Sequence, residues 1–324
     1  MRRSSTYRLN IFLFLLPALI LFVGILIAPI FMSAYYSLFD FSSITDTNRT
    51  FVGLQNYVQL FSRYLTNSDT GALYVNDKFM GDALVNSLIL AALSVFIQLP
   101  LALMIALRLG KGIKGERAYL SIFFMPVLIS TVIIGRLWMN IYDPGDAGLL
   151  NAALKALGID KWLFPAISKG TTSSLAFTGQ WTGFKETALG AAFIPILWQY
   201  VGYHMLLMYA GIKGVPTDLI EAARLDGCTE GQINRHIIIP YIKPILRVSV
   251  VFAVTGSLKS FDLVYTLMKD TTKAELPSTL MYKLLFLHNL YGMGSAIAVV
   301  LIVLCFAFAL LISLFFRNRG EKVA

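Results

Sequence analysis

Five stretches of this chain, Ile11–Tyr35, Ala83–Leu107, Ala118–Tyr142, Ala188–Ile212 and Gly294–Phe316, run longer than the roughly 20 apolar residues a helix needs to cross a hydrocarbon core. Arg136 is the only Lys, Arg, Asp or Glu in any of them. Lipid offers the backbone no hydrogen bonds, so stretches of this kind fold as helices. A sixth stretch, Val248–Met268, is long enough but contains Lys259 and Asp262. It is counted as spanning because the loops on either side fit the charge rule only if it crosses. Charged residues make up 14% of the chain, against about 25% in soluble domains. The expected fold is an all-α integral membrane protein with six transmembrane helices, at 11–35, 83–107, 118–142, 188–212, 248–268 and 294–316, with no strands and no soluble domain.

Loops on the cytoplasmic side of a membrane carry an excess of Lys and Arg. With the amino terminus inside, the inside regions 1–10, 108–117, 213–247 and 317–324 hold 15 Lys and Arg in 63 residues. The outside regions 37–82, 143–187 and 269–293 hold 10 in 116 residues. Both termini and the loop 213–247 are therefore expected in the cytoplasm. Arg2, Arg3 and Arg8 before an apolar run superficially resemble a signal peptide. The uncharged run Leu9–Phe39 far exceeds the apolar core of about 7–15 residues in such peptides, and the expectation is an uncleaved first helix. The net charge of +9 flanks apolar segments and forms no basic patch interleaved with aromatics, which argues against nucleic acid. Cys228 and Cys305 have no metal-ligand spacing and do not suggest a disulfide. His204, His236 and His288 are scattered and suggest neither a metal site nor a proton relay.

The loop 213–247 reads as a short helix, a forced turn and a second short helix. Thr217 is placed to cap the first helix, and Asp218 and Glu221 put carboxylates where the helix dipole favours them. Gly227 supplies the left-handed residue that ends it. Thr229 and Gln232 have capping-box spacing, and Pro240 limits the second helix. Ala222 and Ala223 are expected on the surface, where their small size lets another protein approach closely.

The run Glu221-Ala222-Ala223-Arg224-Leu225-Asp226-Gly227, followed by Ile237-Ile238-Ile239-Pro240, resembles the EAA signature of bacterial ABC importer permeases, E-A-A-x(3)-G-x(9)-I-x-L-P. Ile239 stands where the signature has Leu. Shorter segments resemble the carbohydrate-type members in order and spacing. They are Phe51-Val52-Gly53-Leu54-Gln55-Asn56-Tyr57, Asn86-Ser87, Phe123-Phe124-Met125-Pro126, Arg136-Leu137-Trp138 through Tyr142-Asp143-Pro144, and Ser257 to Asp262. The pattern is similar to the first, maltose-permease-like subunit. Two departures stand out: Lys269 to Pro277 where the family often has Gly-Gly-Gly-Pro, and an extra outside insertion at 160–180.

The resemblance implies a type I importer bundle in the bacterial cytoplasmic (inner) membrane. It also implies a heterodimer with a second related permease, two ATPase subunits, an extracytoplasmic binding protein and a carbohydrate substrate. It assigns Glu221, Ala222, Ala223, Asp226, Gly227, Ile237 and Pro240 to coupling with the ATPase. No Gly-x-x-x-x-Gly-Lys-Ser/Thr loop is present, so this chain is read as no enzyme and as holding no cofactor, with ATP and Mg bound by the partner ATPases.

Lys259 and Asp262 fall three apart, hence on one helix face. Intramembrane charge pairs or faces water, so the two read either as a polar wall of the translocation path or as a structural ion pair. Arg136 belongs to the path or snorkels to the interface. Gln98, Gln199, Tyr203 and His204 hydrogen-bond a solute or join neighbouring helices. Two other readings stay open. One is an importer of another solute, such as glycerol phosphate or an amino acid. The other is an ion-coupled secondary transporter, for which internal inverted symmetry is not visible. H-E-x-x-H and Gly-x-Ser-x-Gly, which an intramembrane enzyme would need, do not occur.

Overall fold

The computed structural model describes residues 5–43, 49–66, 73–75, 79–144, 148–170, 179–268 and 274–316. Four helices are long and apolar enough to cross a membrane: α1 (Ile11–Tyr36), α3 (Met80–Leu109), α8 (Lys185–Lys213) and α14 (Tyr291–Phe316). Each covers one of the expected segments. Between α1 and α3 lie β1 (Phe39–Asp40), β2 (Thr50–Phe51), α2 (Gln55–Phe61), β3 (Tyr64–Thr66) and β4 (Leu73–Val75). The strands form two antiparallel ribbons, β1 with β2 and β3 with β4. This corrects the expectation of no strands. Two or three residues per strand are too few for alternation to register in the sequence.

The expected span 118–142 is two helices, α4 (Glu116–Leu128) and α5 (Thr131–Ile141), bent by 95°. Pro126 lies in the last turn of α4, where its ring crowds the preceding turn and it offers no donor. Ile129 then turns extended, at φ −81° and ψ 138°. Outside these, α6 (Leu149–Ala156) precedes the insertion and α7 (Asp160–Gly170) forms part of it; its residues 171–178 lie outside the described set, as do 269–273 of the other departure. The expected span 248–268 is likewise broken. α11 (Lys243–Leu258) and α12 (Asp262–Met268) are separated by Lys259, Ser260 and Phe261. α11 is preceded by α9 (Thr217–Leu225) and α10 (Glu230–Tyr241), and α10 meets it at 71°. α13 (Pro277–Tyr282) precedes α14.

Proline is absorbed in three places by a π turn just before it: Phe22–Ile27 before Pro29, Ser94–Gln98 before Pro100, and Asn234–Ile238 before Pro240. A wider turn relieves the clash between the ring and the carbonyl four residues back. The helices therefore continue past their prolines, and α10 runs one residue beyond Pro240.

The chain divides into two compact units, residues 1–81 with 280–303 and residues 82–279 with 304–324. In the first, the family-like segment after α1 explains itself structurally. Asn56 Nδ2 donates to the carbonyls of Ser37 at 2.8 Å and Phe39 at 3.0 Å, and Tyr57 donates to Ser37 Oγ at 2.7 Å. In the second unit, α8 is the central helix and two cores form along it. One gathers Leu90, Ile134, Ala188, Ala192 and Leu263. The other gathers Leu99, Ala102, Met205, Met208, Ile212 and Ile242. A methyl group added at Gly202 would lie 1.8 Å from the Phe123 carbonyl oxygen, so the α4–α8 approach requires glycine there. Asn86 Nδ2 donates to the Glu275 carbonyl at 2.9 Å, which anchors α3 against the chain before α13.

Candidate functional site

Two sites emerge in the second unit, a docking element built from α9 and α10 and a cavity beside α8. At the first, α9 ends in a Schellman turn. Cys228 N–H donates to the Ala223 carbonyl at 2.9 Å, and Gly227 N–H to that of Arg224 at 3.0 Å. Gly227 has φ +78°, a conformation that costs other L-residues about 1–2 kcal/mol. The capping box also forms. Thr229 N–H donates to Gln232 Oε1 at 2.7 Å, and Gln232 N–H to Thr229 Oγ1 at 3.4 Å. Thr217 does not cap α9: Pro216 occupies the cap position and makes no side-chain bond there.

Glu230 ties the element together. Its carboxylate takes Arg224 of α9 at 3.1 Å and Lys111 of the α3–α4 connection at 3.1 Å. Lys111 and then Arg224 hold its carboxyl below the usual carboxylate range. A depressed carboxylate contributes stability above its unfolded pKa and loses it as pH falls through the folded one. Nearby, Lys213 at the end of α8 meets Glu116 at 3.3 Å, and Tyr209 donates to the same carboxylate.

The faces of α9 differ from the sequence expectation. Ala223 is buried with Ile233, Ile238 and Ile242, so it seats the element on the body and does not present itself outward. Ile237 is half-buried against the same core. The outward stripe is Asp218, Glu221, Ala222 and Leu225, all exposed, with spacing that places them on one helix face. Asp218 and Glu221 have no hydrogen bond or ion pair among the described residues. Asp226, Gly227 and Pro240 are exposed too. Leu225, 89% exposed, was missed. The available signal was a large apolar side chain out of phase with Ile220 and Ala223.

The second site is a cavity of about 520 Å³ between α3, α4, α5, α8, α11 and α12. Its lining includes Gln98, Thr131, Tyr203, His204, Phe252, Lys259 and Asp262. Gln199 is buried beside it and donates to Thr131 Oγ1 at 3.3 Å, and Ser94 and Ser257 hydroxyls approach to 3.4 Å. Gln199 Oε1 and His204 Nδ1 have no hydrogen-bond partner among the described residues. Arg136 is exposed on α5 and does not line this cavity.

Lys259 and Asp262 do line the cavity, but not as an i, i+3 helical pair. α11 stops at Leu258, Lys259 takes its C-terminal cap, and Asp262 opens α12. No ion pair joins them within 4 Å. Each charge instead meets the helix end whose dipole it complements. Irregular backbone at membrane depth is tolerated where it lines a cavity, and this break does so. The structure therefore favours the polar wall over the ion pair. Lys259→Met and Asp262→Asn should affect solute uptake additively, with a coupling energy below about 0.5 kcal/mol. A double variant much closer to wild type than either single variant would restore the ion pair.

The family described as binding-protein-dependent transport system inner membrane component matches residues 98–320. The chain belongs to this family. It therefore belongs with the membrane components of binding-protein-dependent transporters and not with enzymes. Among its relatives, a probable ABC transporter permease protein, YurN, of Bacillus subtilis (strain 168) is 33% identical over 96% of this chain and 97% of that protein. The diacetylchitobiose uptake system permease protein NgcF of Streptomyces coelicolor is 29% identical over 98% of this chain and 86% of that one. The trehalose/maltose transport system permease protein MalF of Thermococcus litoralis is 28% identical over 92% and 90%. A solved bacterial ABC transporter that imports the acidic polysaccharide alginate shares the fold, with TM-score 0.76 and 22% identity over 96% of both chains. The permease thus has the mostly helical importer bundle expected from its sequence, with the two short ribbons added.

Proposed function

We propose that this permease carries a sugar or oligosaccharide inward, paired with a second related permease and driven by two ATPases on the cytoplasmic side. An extracytoplasmic binding protein delivers the solute, and ATP and Mg reside on the ATPases. The observation that carries this reading is the outward stripe of α9. It offers Asp218, Glu221, Ala222 and Leu225 exposed on one face, with Asp218 and Glu221 unpaired among the described residues, on an element fixed by a Schellman turn, a capping box and Glu230. An element held this firmly moves as one piece. Force applied to α9 passes through Ala223 and Ile233 into the core around α8, and through Lys111 to α3 and α4. The cavity lies along that same α8. A motor acts by favouring one of two states of such a bundle, and alternating access follows if the cavity opens inward in one and outward in the other.

The cavity chemistry supports a carbohydrate. Amide, hydroxyl, phenol and imidazole groups suit a polyol, and the rings of Tyr203 and Phe252, 6.3 Å apart, suit its C–H faces. Relatives named for diacetylchitobiose and trehalose/maltose uptake support the same substrate class. The assay uses vesicles carrying this chain with its partner permease and ATPases. Labelled oligosaccharide should enter only with ATP on the ATPase side and binding protein on the other. Uptake on an ion gradient without ATP would establish the ion-coupled alternative instead.

The reading also fixes sidedness. Cys228, exposed in the α9–α10 turn, should resist a membrane-impermeant thiol reagent in intact cells and react in inverted vesicles. Labelling from outside would reverse the topology.

A further inference from the structure

The short helix α2 presents its apolar side away from the protein. Leu54, just before the helix, with Val58 and Phe61 at i+4 and i+7 form one stripe, flanked by Phe51, and all four are between 47% and 69% exposed. Asn56 and Leu60, on the opposite face, are buried. The anchoring bonds from Asn56 and Tyr57 run to Ser37 and Phe39, directly after α1. These bonds set the depth of α2 at the level where α1 ends.

That level has the composition of a membrane–water interface. Tyr35, Phe39 and Phe51 are in successive ring contact, and Phe41 stacks on Tyr291 at 5.6 Å. The Arg49 guanidinium sits 4.9 Å from the Tyr36 ring centre and 5.0 Å from that of Phe41. Aromatic belts and snorkelling arginines mark headgroup depth. The stripe contains no charged side chain and continues the apolar surface of α1, which is exposed along its length.

We propose that α2 is an interfacial helix whose exposed face, Leu54, Val58 and Phe61 with Phe51, inserts into the headgroup–acyl boundary of the outer leaflet. Its partner is the lipid surface and not a protein. The proposal rests on the reading that α1 crosses the bilayer. Helices of this kind lie in the interface plane with the apolar side in the acyl boundary. Held there, α2 ties the ribbon after α1 to the membrane surface.

The test places a photoactivatable benzoylphenylalanine at Phe61 in the full-length chain, in membranes of cells grown on [32P]phosphate. Phe14 of α1, also exposed, and Asp218 of α9 serve as comparison sites. Illumination should attach labelled phospholipid at Phe61 to the same order as at Phe14, and on the order of tenfold above Asp218. Lipid attachment at Phe14 without any at Phe61, or a protein adduct at Phe61 with the binding protein or the second permease, overturns the proposal while leaving the bundle intact. Failure at both Phe61 and Phe14 removes the membrane reading of α1 and the proposal with it.

Discussion

Proline at position 227 is expected to leave the permease in the membrane and to break its connection to the ATPases. Gly227 sits at φ +78°, whereas the proline ring fixes φ near −65°. The substitution also removes the N–H that closes on the Arg224 carbonyl. The Schellman turn opens, α9 loses its angle to α10, and the outward stripe no longer presents one surface. Co-purified ATPase should fall on the order of tenfold or more, which corresponds to about 1.4 kcal/mol or more of association energy. Substrate-stimulated ATP hydrolysis should fall with it. Glu221→Ala gives a cleaner contrast. Glu221 is exposed and has no partner among the described residues, so its removal should alter stability by no more than about 0.5 kcal/mol. Any loss of ATPase binding in this variant is then an interface effect.

Valine at position 202 should act on the bundle itself. The added Cβ would meet the Phe123 carbonyl at 1.8 Å and the Phe124 nitrogen at 3.1 Å, and backbone on α4 cannot step aside as a side chain can. Overpacking of this kind costs about 1–3 kcal/mol and occasionally more. Thermal denaturation in detergent should show a clear drop in midpoint, together with reduced uptake. The same substitution at Gly190, where nothing lies within 4 Å, should leave the midpoint nearly unchanged.

What could be read from the sequence follows from how each signal is encoded. The long apolar runs announced α1, α3, α8 and α14, because lipid leaves an uncharged run of that length one backbone solution. Gly227, Thr229 and Gln232 announced the turn and the capping box, since these are local demands on φ and on short-range donors. The break at Lys259–Phe261 was invisible. No Pro marks it, Gly256 falls inside α11 and not at the break, and an i, i+3 charge spacing looks the same whether or not the helix continues. Ala223 was assigned to the wrong face, and Leu225 was passed over, for a related reason. In a nine-residue helix, the buried side depends on the core it docks onto, and Ile233, Ile238 and Ile242 come from later in the chain. Arg136 could be placed no further than its helix, because membrane depth alone does not say which side of a helix meets a cavity. The ring cluster around Tyr36 and the anchoring by Asn56 needed the loop between α1 and α3 to be folded before the family-like segment had a physical meaning.

The most direct measurement of the central claim, that α9 and α10 seat on an ATPase, uses the native thiol of Cys228. Inverted vesicles carrying the permease pair are stripped of ATPase and exposed to a membrane-impermeant maleimide, then the labelling rate is measured again with saturating ATPase restored. The account predicts rapid labelling of Cys228 in stripped vesicles, strong protection when the ATPase returns, and weakened protection in the Glu221→Ala variant. Labelling at the same rate with and without an ATPase that restores uptake would contradict it.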